Sequence, residues 1–211
     1  MADTDRRDLD EHVALARKIG ALLPVLAEVG DRVCAALDAG GRVYTFGNGG
    51  SAADAQHLAA ELVGRYKRDR RPLPAVALSV DPSVLTCIAN DYAYEDVFGR
   101  QVQALVGPRD VVIGFSTSGR SPNVVNGLAA ARQVRATTVL FTGGDGGAAR
   151  QEADLALVVP STTTARIQEM HLLLLHLLSE HVDAWAAGDG GGANSDPGAN
   201  AEVGDRRSTS T

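Results

Sequence analysis

His57 and Glu61 stand four residues apart. On a helix they share one face, close enough to hold a metal ion together or to pass a proton. More than a hundred residues later, Gln168 and His176 are eight apart, slightly over two helical turns, and can also face one site. They belong to Arg166-Ile167-Gln168-Glu169-Met170-His171-Leu172-Leu173-Leu174-Leu175-His176, where polar groups interrupt a strongly apolar run. A histidine buried among leucines needs a hydrogen-bond partner. Either it is a core residue bonded to a carbonyl, or it is a ligand or proton donor, with Glu61 as base and a histidine as acid. Spacing does not choose between His171 and His176.

Two further stretches suit an anion. Phe46-Gly47-Asn48-Gly49-Gly50-Ser51 and Phe115-Ser116-Thr117-Ser118-Gly119-Arg120-Ser121-Pro122-Asn123 each read as a strand end, a small-residue turn rich in hydroxyls, and a helix start. Backbone N–H groups and hydroxyls in such turns can hold a phosphate without a dedicated metal. Neither is a Walker loop or a Gly-x-Gly-x-x-Gly turn. One such loop is an ordinary strand-to-helix turn; two after separate strands point to a phosphate site. A third loop, Val139–Gly147, lacks the hydroxyls and reads as a structural turn. Asn90-Asp91 follows the apolar segment Val84–Ala89; it can bond sugar hydroxyls or cap a helix, and the sequence favours the cap.

The elements that must position these groups follow from periodicity. Residues Met1 to about Asp8 are charged and expected to fray. Leu9 to about Ala39 repeats apolar residues at helical spacing, kinked or split at Pro24 and ended by Gly40-Gly41. Strands are expected over Arg42–Gly47, Ala75–Ser79, Asp110–Ser116, Thr137–Thr142 and Leu155–Val159. Helical segments are expected over Ser51–Tyr66, parts of Pro82–Val106, Asn123–Arg135 and Ala148–Ala153. A long helix spans Thr162 to about Ala187, with Thr162–Thr164 available as caps. Nearly continuous apolar strands alternating with helices imply an α/β three-layer sandwich, a parallel five-stranded sheet flanked by helices. Ligands then bind beyond the carboxyl ends of the strands. Residues 1–40 read as an N-terminal helical extension packed on a domain over 41–187, and 188–211, rich in Gly, Asp, Asn, Ala and Ser, as a disordered tail.

Composition narrows the function. The net charge of −6 with a single basic cluster, Arg65–Arg71, argues against broad nucleic-acid binding, and the cluster reads as a solvated helix end and loop. Only 4% of residues are aromatic, so the core must be aliphatic. Cys34 and Cys87 have no metal-like spacing; with no signal peptide visible, both read as reduced, buried thiols of a cytoplasmic protein. The apolar late stretch is too short and too polar to span a membrane.

Taken together, Gly47-Asn48-Gly49-Gly50-Ser51 with His57 and Glu61, Ala89-Asn90-Asp91-Tyr92, Ser116-Thr117-Ser118-Gly119-x-Ser121, and Arg166-Ile167-Gln168-Glu169-x-His171 leading to His176 resemble the sugar-isomerase (SIS) domain family, in its heptose branch. The resemblance runs from about Leu9 to Ala187. It implies a flavodoxin-like fold and an aldose–ketose isomerase acting on sedoheptulose 7-phosphate. It implies one zinc ion per subunit held by His57, Glu61, Gln168 and His176, so it selects His176 over His171. It implies substrate contacts from Asn48, Gly49, Gly50, Ser51, Glu61, Asn90, Asp91, Ser116, Thr117, Ser118, Ser121 and Gln168, with Glu61 as catalytic base and His176 as acid. It also implies a homotetramer with active sites at subunit interfaces. One departure stands out: relatives can carry an acidic residue where this chain has Ala165. The alternatives are a non-catalytic SIS-domain regulator that binds a replication initiator, and a sugar-phosphate sensor.

Overall fold

The computed structural model describes residues 2–188. The expected tail lies outside the described residues but for Gly188. Five strands form one parallel sheet: β1 (Val43–Gly47), β2 (Ala75–Ala77), β3 (Val111–Ser116), β4 (Thr137–Gly143) and β5 (Leu155–Val159). Their spatial order is β2-β1-β3-β4-β5. The chain therefore reverses its direction of travel between β1 and β3, and this is where doubly wound sheets open a crevice. The register pairs Gly47 with Phe115 at that point, so the loops leaving β1 and β3 emerge side by side.

The strands bury both faces, as their unbroken apolar composition requires. Val43, Val111, Ile113, Phe115, Val139 and Phe141 point into one core; Tyr44, Phe46, Val112 and Leu140 point into the other. The first core is closed by α1 (Ala2–Lys18), α2 (Leu23–Asp38), α3 (Gly50–Val63) and α7 (Thr164–Ala186). The second is closed by α4 (Pro82–Asp91), α5 (Gly99–Leu105) and α6 (Pro122–Gln133). With few aromatic rings available, the phenylalanines pair: Phe46 stacks on Phe98 with centroids 4.8 Å apart, and Phe115 packs tilted against Phe141 at 4.6 Å.

Several expectations need correction. The chain is helical from Ala2, without the expected frayed start. Leu15 buries into the core, while α7 holds the helix through Arg166 Nη1 donating to the Asp8 carbonyl (2.7 Å) and His12 Nδ1 2.7 Å from Glu169. As expected, the next stretch is split at Pro24, which opens α2 after a single 3-10 turn over Ile19–Leu22. Residues Ala148–Glu152 form a 3-10 turn and not an α-helix. No side chain of Thr162–Thr164 caps α7; the Thr163 hydroxyl instead donates to Glu11. Cys34 is buried and Cys87 exposed, so only one of the two thiols is a core residue; both are free. The Val139–Gly147 loop is structural, as expected: the Gly143 amide donates to the Thr117 carbonyl and the Ala149 amide to that of Gly119, bracing the hydroxyl loop from behind.

Candidate active site

The turn after β1 enters α3 directly. Gly49 takes φ +57°, a conformation that L side chains resist, and Gly50 begins the helix against the carboxamide of Gln168, where a Cβ would collide. The turn after β3 is tightened by Gly119, φ +62°, whose amide donates to Ser116 Oγ at 3.1 Å. Between the two turns lies a cavity of about 320 Å³ lined by Asn48, Gly49, Gly50, Ser51, Phe115, Ser116, Thr117, Ser121, Thr164 and Gln168. It sits at the switch point of the sheet. The start of α3 adds its positive dipole end to the hydroxyls.

Asn48 is fixed by reciprocal amide bonds with buried Asn123, at 2.8 and 2.9 Å, and accepts from the Tyr94 hydroxyl at 3.0 Å. Ser118 faces a neighbouring cavity of about 140 Å³, with Thr117 and Thr164 shared between the two. Asn90 and Asp91 do not line the cavity. They end α4, exposed, with Asn90 Nδ2 donating to Asp91 Oδ1 at 2.9 Å, and the helix is capped at its other end by Asp81. The favoured capping role therefore fails, because the pair sits at the wrong end of its helix.

Two turns further along α3, His57 Nε2 lies 2.9 Å from Glu61 Oε1 and 3.4 Å from His176 Nε2 on α7. The donor atoms of these three residues all lie within 4.8 Å of one another. Two imidazole nitrogens and a carboxylate oxygen form the mixed donor set that zinc accepts, and a 3.4 Å nitrogen–nitrogen separation suits two ligands on one small ion. The residues fit a metal. The His176 ring is stacked on Tyr66 (5.6 Å between centroids). Burial and the neighbouring His57 lower its pKa, against a smaller opposing pull from Glu61. On α3, the half-buried Asp54 carboxyl is pushed up to about 6 by burial, and its Oδ2 has no hydrogen-bond partner.

His171 does something else. It is fully buried, with Nε2 3.2 Å from the Thr142 carbonyl, and burial pushes its pKa down to about 4. It is the core histidine of the pair.

The basic cluster is the largest departure from expectation. Arg70 is buried, not solvated: its side chain is 1% exposed and pairs with fully buried Asp183 at 2.8 Å. The same guanidinium donates to the carbonyls of Glu61 (2.7 Å) and Leu62 (3.0 Å) at the end of α3, the latter shared with the Leu73 amide. Burial alone would raise the Asp183 carboxyl, but the Arg68 and Lys67 amides and the Arg70 guanidinium hold it below the usual range. This staple ties the end of α3 to α7 and fixes Glu61 against His176. Asn123, Thr164, Tyr66, Tyr94 and Asp54 were also missed in the sequence. Thr164 stood in a visible hydroxyl run; the others carry no local signal.

The family model described as the SIS domain matches residues 11–143, a segment that ends before α7. A phosphoheptose isomerase from Aquifex aeolicus is 54% identical over 158 residues, 75% of this chain and 83% of that protein. The structure of a phosphoheptose isomerase from Francisella tularensis superposes with a TM-score of 0.84 at 32% identity, covering 86% of this chain and 97% of that one. One from Neisseria gonorrhoeae gives a TM-score of 0.82 at 37% identity, covering 87% and 98%.

Proposed function

The chain belongs to the SIS-domain family, alongside phosphoheptose isomerases, and from that premise we propose that it interconverts D-sedoheptulose 7-phosphate and D-glycero-D-manno-heptose 7-phosphate. One observation carries this reading: the helix whose first residues wall the hydroxyl cavity also carries two of the three clustered proton-transfer and metal-binding groups. A substrate with a phosphate at one end and a carbonyl at the other can engage both.

The reaction moves a proton between C1 and C2. The carbon acid is weak, so it needs a positioned base and stabilisation of the enediolate. Glu61 takes the proton from C1 of the ketose and returns it to C2, giving the aldose. His176 is the complementary acid and gives a proton to the C2 oxygen as the enediol forms. It recovers a proton from the C1 hydroxyl as the new carbonyl appears. A zinc ion, one per subunit, would be held by His57, Glu61, Gln168 and His176 and would supply positive charge where the oxyanion develops. Asn48, Gly49, Gly50 and Ser51 from one turn and Ser116, Thr117, Ser118 and Ser121 from the other hold the phosphate, so binding energy far from the reacting carbons orients them. Asn90 and Asp91, which do not line this cavity, would contact a substrate bound at a subunit interface of the homotetramer. The exposed Leu9 and Val13 of α1 and Leu172 of α7 offer apolar surface for such assembly. Residues 1–40 serve as the helical extension of a domain over 41–187, and the free thiols suit the cytoplasm. No helix among the described residues is long and apolar enough to cross a membrane.

A non-catalytic regulator or a sugar-phosphate sensor has no use for the His57–Glu61–His176 cluster. Incubation of purified protein with sedoheptulose 7-phosphate is expected to yield the aldoheptose phosphate. No product with or without added zinc would overturn the reading.

A further inference from the structure

None of the described residues lining the hydroxyl cavity is a lysine or arginine. Hydroxyls and amides can hold a phosphate, but a dianion there lacks a formal counter-charge. The cation in the same loop is Arg120, between Ser118 and Ser121. It lines the adjoining cavity, which shares Thr117 and Thr164 with the first. Its Nη2 donates to Asp145 Oδ2 at 2.7 Å and its Nη1 to the Ser118 carbonyl at 3.3 Å. Both partners of the ion pair are largely exposed, 61% and 67%. Such a pair is weak, and a doubly charged phosphate competes well with one carboxylate for a guanidinium.

We propose that Arg120 is a further substrate-binding residue, which leaves Asp145 to pair with the phosphate of the incoming sugar, Asp145 being its resident competitor. This rests on the sugar-phosphate reading above and adds to it the charge that selects an anion. Arg120 meets the end of the substrate remote from the reacting carbons, so it governs capture and not the chemical step.

The test compares wild type, Arg120→Gln, Arg120→Lys and Asp145→Asn by calorimetric binding of inorganic phosphate at low and high salt, and by kcat and KM. Arg120→Gln is expected to weaken phosphate binding and raise KM about tenfold, with kcat within about twofold and a flatter salt dependence. Arg120→Lys recovers part of the loss. Asp145→Asn is expected to move the other way, tightening phosphate about two- to threefold. The opposite signs are decisive, because a purely structural ion pair is broken equally by either change. Wild-type phosphate affinity and salt dependence in Arg120→Gln, or shifts in the same direction for Arg120→Gln and Asp145→Asn, would overturn the proposal. Phosphate binding is read without turnover, so an inactive wild type that binds phosphate through Arg120 contradicts the isomerase reading alone.

Discussion

At the proposed phosphate end of the site, most lining groups come from two turns at the ends of neighbouring strands, which the sheet register brings side by side, with Thr164 and Gln168 of α7 completing the cavity. At the proton-transfer end, the groups are side chains of α3 and α7, separated by more than a hundred residues, and they meet only because the two helices pack. The first end is made by backbone geometry, with each hydroxyl one donor among several. The second depends on a few side-chain positions, and the buried Arg70–Asp183 pair holds them. Binding and chemistry should therefore fail separately.

The strongest break in that comparison is at the proton-transfer end. Glu61→Gln or His176→Asn should lower kcat by about 10²–10⁴-fold while phosphate affinity stays near wild type. Steady-state kinetics with a phosphate-binding assay checks this, and parallel losses in both would show that the two ends are not separable. Next, Arg70→Ala removes the buried guanidinium from Asp183, leaving that carboxylate the Lys67 and Arg68 amides and the Arg68 guanidinium at 3.9 Å, and should cost about 3 kcal/mol in denaturant unfolding. If it unfolds instead at wild-type denaturant concentration, the staple does not carry the α3–α7 contact.

The two histidines of α7 sharpen the contrast between structure and chemistry. The His171 pKa is pushed down to about 4 from 6.5. Its stabilising share is thus complete above pH 6.5 and is lost as pH falls toward 4, by about 3 kcal/mol in all. Unfolding curves from pH 7 to 4 should show wild type losing that much more stability than His171→Asn, with catalysis at pH 7 little affected in any variant that folds. The smallest effect belongs to the phosphate end. The hydroxyl of Ser121, which lines the cavity, is one of several donors there, and Ser121→Ala should raise KM by about 10-fold with kcat nearly unchanged. A kcat loss equal to the KM change would mean that this loop also acts in the transition state.

The difference between the two ends also explains what could be read in the sequence. Strands of continuous Val, Ile and Phe, and turns of Gly, Ser and Thr, announce themselves locally, and all five strands and both loops fall where expected. His57 and Glu61 were visible as a pair because four-residue spacing is local. That His176 and not His171 completes the set follows from which side of α7 faces α3, and periodicity in a helix apolar on most sides does not reveal it. The same lack of tertiary information made Arg65–Arg71 read as solvated, although Arg70 is nearly inaccessible, and left Asn123 unnoticed although it fixes Asn48.

The central claim is that Glu61 carries the proton between C1 and C2. Its side chain is 19% exposed, so a proton it holds can exchange with water before being returned. Turnover of sedoheptulose 7-phosphate in D₂O, followed by NMR of the aldoheptose phosphate, tests this directly. Deuterium at C2 of the product, absent when Glu61→Gln is used, is the predicted result. Complete retention of the original C1 hydrogen at C2, in wild type and Glu61→Gln alike, would contradict a solvent-accessible Glu61 as the carrier of that proton.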